Sequence, residues 1–212
     1  MRYKIYIFTI LLISNIFSQG EISLKSVLDG TFSTDSIGRY TWKNSSDSYF
    51  FSKKNDSGLD FYIYNLASND TTKSFNIPNS IIDNFSYSFS PDQKKLLLKK
   101  DSIKLWRHSS YGSYFIYDIE SNSLTTVTSN PDSLRNVKFS PDSEYVAFVR
   151  NDNNLYRFSL ENSSEEQLTF DGSDNILNGH FGWVYEEEFG TYDSYKWLSL
   201  IHISEPTRLC RI

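Results

Sequence analysis

Phe139-Ser140-Pro141-Asp142-Ser143-Glu144-Tyr145-Val146-Ala147-Phe148-Val149 is the stretch from which the fold is read. An apolar run ends in a Ser-Pro-Asp turn, where proline pre-sets φ and the aspartate can bond the backbone two residues on. A second apolar strand follows at once. The same string, Phe89-Ser90-Pro91-Asp92 followed by Leu96-Leu97-Leu98, stands 50 residues earlier. Trp42-Lys43-Asn44-Ser45-Ser46-Asp47-Ser48-Tyr49-Phe50-Phe51 is a degenerate copy 47 residues before that, and Trp197 would open the next.

Each unit continues in one way. A third strand is Phe61–Leu66, Tyr114–Ile119 or Leu155–Leu160, and a polar turn then leads to a short fourth, such as Leu124–Thr128 or Gln167–Phe170. Four short strands in each repeat of about 45–50 residues predict a β-propeller blade. The fold class is therefore all-β, a partial β-propeller. Three blades are expected, at Tyr40–Pro78, Asp83–Ser129 and Asn136–Gly172, with the start of a fourth. Helical periodicity is absent after Phe17, apart from a turn around Glu186 to Phe189. An arc of three blades has unpaired edges, which predicts an association-prone chain.

Composition narrows the function. Aromatic residues make up 17% of the 212, which favours strands, and 22% charged residues argue against disorder. A net charge of −5 leaves no basic footprint, so neither nucleic acid nor an anionic membrane surface is an expected partner. Met1-Arg2-Tyr3-Lys4 precedes an apolar run of 13 residues from Ile5 to Phe17, and small residues stand at Ser18 and Gly20. Residues 1–20 thus read as a cleaved signal peptide, with an uncleaved anchor or a buried strand as alternatives. An exported protein is expected, whether periplasmic, surface-attached or released. The single cysteine, Cys210, permits no disulfide within the chain. From Leu198 the Asn/Asp/Ser/Tyr/Phe bias disappears. Residues 198–212 resemble a translated sequencing-adapter read-through, the alternative being a genuine C-terminal tail.

Two further strings carry chemistry: Trp106-Arg107-His108-Ser109 and Trp183-Val184-Tyr185-Glu186-Glu187-Glu188. Three consecutive acids usually form a solvated turn. Here an apolar triplet precedes them and is expected to anchor the segment against protein. Adjacent like charges are costly unless a cation sits between them, so the cluster suits a positive ligand. Arg107 alone would read as a surface ion-pair partner.

Together, in this order, the two strings resemble the substrate-amine clamp of the dipeptidyl peptidase IV family, and the resemblance runs from about Asp29 to Trp197. It implies an eight-bladed ring, of which residues 21–197 would be a truncated N-terminal part. It also implies a serine exopeptidase that releases X-Pro or X-Ala dipeptides, with peptides bearing a free N-terminus as partners. By the same resemblance Glu187 and Glu188 bind the substrate's α-ammonium, Arg107 holds those carboxylates and meets a substrate carbonyl, and Glu186 is structural. His108 is expected to pack or to hydrogen-bond. The family commonly has Asp before the motif's Trp, where this chain has Gly182.

Catalytic machinery is not legible. None of the 9 glycines is followed by another four positions on, so a Gly-x-Ser-x-Gly nucleophile elbow is missing. No metal-ligand spacing and no phosphate-cradling glycine loop occurs, so no metal and no cofactor is expected. By the resemblance, an α/β-hydrolase domain and any homodimer are expected of a longer parent. A non-catalytic propeller that binds protein or glycan, and an inactive family member, are the competing readings.

Overall fold

A computed structural model describes residues 23–33, 39–128 and 133–198. The expected signal peptide, and the atypical tail beyond Leu198, lie outside the described residues. Contacts divide the chain into two units, Met1–Gly38 and Arg39–Ile212. In the first, a single short helix α1, Leu24–Leu28, begins at a capping box in which Ser23 and Ser26 bond each other's backbone amides.

The second unit is three four-stranded antiparallel sheets. The first pairs β1 (Tyr40–Trp42), β2 (Ser48–Asn55), β3 (Gly58–Asn65) and β4 (Asp70–Pro78) in that order. The second pairs β5 (Ser86–Phe89), β6 (Lys95–Lys104), β7 (Ser110–Asp118) and β8 (Ser123–Thr126). The third pairs β9 (Arg135–Phe139), β10 (Tyr145–Val149), β11 (Leu155–Ser159) and β12 (Ser164–Gln167). The expected all-β arc of three blades is what the chain forms, and the sheets do not close into a ring.

The Ser-Pro-Asp turns behave as their chemistry requires. In the second blade Asp92 accepts from the Lys94 amide at 3.1 Å and from the Ser90 hydroxyl at 2.6 Å, and Ser90 Oγ accepts from the Lys95 amide at 2.9 Å. In the third, Asp142 accepts from the Glu144 amide at 3.0 Å. The turns also join blades. The Asp92 amide donates to Ser143 Oγ at 3.1 Å, and Gln93 Nε2 donates to the Trp42 carbonyl at 2.6 Å.

Burial explains the uninterrupted Leu96-Leu97-Leu98. Leu96 and Leu98 enter the core shared with Phe50, Phe61, Phe75 and Ile77 of the first blade. Leu97 points the other way, into a core with Tyr114, Val146 and Phe148 towards the third blade. A middle sheet covered on both faces needs apolar residues at every position.

Two expectations are corrected. The fourth strand of the third blade is β12, Ser164–Gln167, three residues before the expected Gln167–Phe170. The tight connection after Ser159 pairs Ser159 with Ser164 at once, leaving Phe170 exposed beyond the strand. The turn expected around Glu186 is a full helix, α2, Trp183–Phe189. Gly190 ends it at φ 64°, its amide and that of Thr191 bonding back to Glu186 and Tyr185 carbonyls. This left-handed position is the one a helix C-terminus reserves for glycine.

Candidate functional site

The site is built where the β6–β7 hairpin meets α2. Residues 105–109 form the hairpin tip, closed by the Leu105 and Trp106 amides donating to the Ser109 carbonyl at 2.9 and 3.2 Å. Arg107 stands on this tip with its side chain 67% exposed. Its Nη2 lies 3.0 Å from a carboxylate oxygen of Glu187, whose side chain is only 17% exposed. Residues 80 positions apart in sequence are thus one ion pair. Glu188 is exposed, and among the described residues it has no hydrogen-bond or ion-pair partner.

Glu186 has the opposite environment. It is 1% exposed and is the single buried residue of α2. One of its oxygens accepts from the backbone amides of His108 and of Ser109, the latter at 3.0 Å, and the other accepts from the Ser109 hydroxyl. Burial works against ionisation, but the Ser109 hydroxyl and the two amides outweigh it and hold the carboxyl below its ordinary value. The expectation that Trp183-Val184-Tyr185 anchors the segment is reversed, since all three are about half exposed. A helix turns about 100° per residue, so a Glu186 facing the hairpin's amide donors sends its neighbours elsewhere.

The segment leading into α2 is tied to the third blade. Asn136, in a left-handed conformation within β9, donates to the carbonyls of Gly179 and Tyr192 at 2.9 and 3.1 Å. Gly179 has φ 77°, and a Cβ there would fall 2.5 Å from Val149. His180 is buried against Arg135, whose guanidinium also donates to Asn153 Oδ1 at 2.9 Å and stacks over Tyr111. His180 Nδ1 bonds the Phe181 carbonyl at 3.1 Å, which leaves Nε2 to accept from Arg135. Burial, reinforced by the Arg135 charge, pushes the imidazole down to about 4. Beyond the helix, Lys138 holds both oxygens of Asp193 at 2.7 and 2.6 Å. The His108 ring stacks on Tyr192 at 5.8 Å.

Arg107 and Glu187, named from sequence, are therefore brought into contact, whereas Glu188, the next residue of α2, is exposed and touches neither a cation nor a donor among the described residues. Sequence reading missed Ser109, Arg135, Asn153, Lys138 and Asp193 as supports. No local pattern marks them, because each acts through a contact that only the tertiary fold creates. A cavity of about 960 Å³ is lined chiefly by β1 and β5, with Tyr192 at its edge, and contains none of the three predicted clamp residues. Among the described residues no cluster of three or more His, Cys, Asp or Glu side chains is placed to hold a metal ion.

Successive residues of α2 thus carry one carboxylate paired with a guanidinium and one free to accept. Such a pair suits a small cation with several donors, such as an ammonium group.

Comparison with known proteins identifies the family. The family described as the dipeptidyl peptidase IV (DPP IV) N-terminal region matches residues 90–199. Dipeptidyl aminopeptidase B of Saccharomyces cerevisiae is 41% identical over 115 residues, covering 54% of this chain and 14% of the yeast protein. Human prolyl endopeptidase FAP is 32% identical over 174 residues, covering 79% of this chain and 21% of that protein. The crystal structure of Porphyromonas gingivalis dipeptidyl peptidase 4 superimposes with a TM-score of 0.67 at 28% identity, over 82% of this chain and 26% of that one. The chain thus spans about a fifth or less of the length of these two relatives. By its matched region, its relatives and its arc of blades, this chain belongs to the dipeptidyl peptidase IV family.

Proposed function

We propose that this chain is the substrate-recognition part of an exported serine dipeptidyl peptidase, and that Glu187 and Glu188 capture the protonated N-terminus of a peptide. The observation that carries the reading is the Arg107–Glu187 ion pair beside an unpartnered Glu188. Arg107 holds Glu187 in one orientation and keeps donors for a substrate carbonyl. Glu188 supplies the remaining charge-assisted acceptor. Fixing the amine at a set distance from a nucleophile would select cleavage after the second residue, so remote binding energy positions the scissile bond.

In the same proposal residues 1–20 direct export, residues 21–197 are part of the propeller, and residues 198–212 are extraneous to it. An α/β-hydrolase domain elsewhere in a longer parent supplies the nucleophile, and X-Pro and X-Ala peptides are the substrates. Homodimers would form through parts of that parent. No helix among the described residues is long and apolar enough to cross a membrane.

Calorimetric titration of the chain with Ala-Pro-Ala tests the reading. Replacing Glu188 by Gln removes one charge-assisted bond, for which about 1.5–3 kcal/mol is typical, so affinity should fall about tenfold or more. Unchanged affinity in both Glu187→Gln and Glu188→Gln would remove the basis of amine capture.

A further inference from the structure

Helix α2 is seated by a carboxylate and not by an apolar face. Of its seven residues only Glu186 is buried, while Trp183, Val184, Tyr185 and Phe189 are each more than half exposed. An amphipathic helix ordinarily does the reverse. The three groups that donate to Glu186 all belong to His108 and Ser109, on the hairpin tip that carries Arg107. The acceptor is one residue from Glu187, and the donors begin one residue from Arg107. A single buried tie therefore joins the two halves of the ion pair at their roots.

We propose that Glu186 is a positioning residue, which locks the hairpin tip and α2 in one register and so sets the Arg107–Glu187 pair and the aim of Glu188. The inference rests on the amine-capture reading above and adds the part that makes the geometry rigid. A carboxylate that takes two amide N–H groups on one oxygen and a hydroxyl on the other is fixed in both rotation and depth. Alanine at this position would leave the half-buried His108 amide and the buried Ser109 amide and hydroxyl without their acceptor, and the hairpin tip would separate from the helix to find water. Glutamine can keep the amide contacts through its carbonyl while the Ser109 hydroxyl rotates to accept from its NH₂ group.

Hydrogen exchange and peptide titration of the 212-residue chain test this together, with Glu186→Ala and Glu186→Gln compared against the parent sequence. In Glu186→Ala the His108 and Ser109 amides should exchange about a hundredfold faster, while the amides of Leu96–Leu98 and Val146–Val149 keep their protection. Affinity for Ala-Pro-Ala should fall about tenfold, and a further Arg107→Ala change should add little, because the pair is already uncoupled. Glu186→Gln should restore most of both signals. A merely structural role would instead loosen the blade amides as well and weaken free and N-acetylated tripeptide alike. Slow exchange at His108 and Ser109 in Glu186→Ala, with affinity within about twofold of the parent, overturns the inference. Equal binding of free and N-acetylated tripeptide by the parent sequence would instead sink amine capture, with the exchange arm still deciding whether Glu186 holds the hairpin.

Discussion

Three consecutive glutamates end in three different environments: Glu186 buried under the hairpin, Glu187 paired with Arg107, Glu188 free. The sequence makes the cluster and its arginine legible, because charged residues beside an apolar triplet in a strand-rich chain are out of pattern. It does not make legible which acid faces inward. That depends on the helical phase of α2 relative to donors 77 and 78 positions away. The guanidinium's planar fork also gives a test at this scale. Arg107→Lys keeps the charge but loses the fork, and with a side chain two-thirds exposed the loss is screened. Tripeptide affinity should therefore drop only a few-fold, by about 1 kcal/mol or less, whereas Arg107→Glu should weaken it further, because it removes the donor to the substrate carbonyl and repels Glu187 from its paired position. Titration of both variants distinguishes a charge requirement from a geometric one.

At the scale of elements, the hairpins were readable and the support under α2 was not. Alternating apolar residues and Ser-Pro-Asp turns fix where strands begin. The bounds Tyr40–Pro78 expected for the first blade are those of β1 to β4. A seven-residue helix with a polar inner face carries no periodic apolar signal, so only a turn was foreseeable there. Its approach segment depends on His180 remaining neutral against Arg135. In the folded chain His180 gives up its proton at about 4, whereas an unfolded histidine does so at roughly 6.5. Between these values the unfolded state binds more protons, so stability falls as pH drops from about 6.5 towards 4. Thermal unfolding across this range should show a declining midpoint, and His180→Gln should flatten the decline. A midpoint that declines equally in His180→Gln assigns the slope to another group.

At the scale of the molecule, neighbouring blades meet through the apolar faces they share and through the turn hydrogen bonds between them. Leu98 and Leu97 are adjacent in β6 but belong to different cores, so their truncations should act on different neighbours. Each change to alanine should cost about 2–5 kcal/mol. Leu98→Ala should speed exchange chiefly in the first blade, and Leu97→Ala chiefly in the third. Uniform loosening of all three sheets in both variants would contradict nearest-neighbour stacking. The far face of the first blade carries half-buried Tyr49, Phe51, Tyr62 and Tyr64, paired as Tyr49–Tyr64 at 5.2 Å and Phe51–Tyr62 at 5.3 Å, with no sheet packed on them among the described residues. Such an aromatic face predicts self-association that rises with concentration, and Tyr62→Lys should reduce it in sedimentation experiments. The repeated Ser-Pro-Asp strings and four strands per unit announced this arc, because each blade buries most apolar surface where another blade lies beside it.

A crystal structure of the chain with Ala-Pro-Ala tests most directly whether a peptide amine meets the acids of α2. The amine nitrogen should lie about 2.7–3.2 Å from carboxylate oxygens of both Glu187 and Glu188, with Glu186 still bound to His108 and Ser109. A peptide seated elsewhere on the blades, or one that turns its carboxylate end towards Arg107 and leaves both acids to solvent, would contradict amine capture.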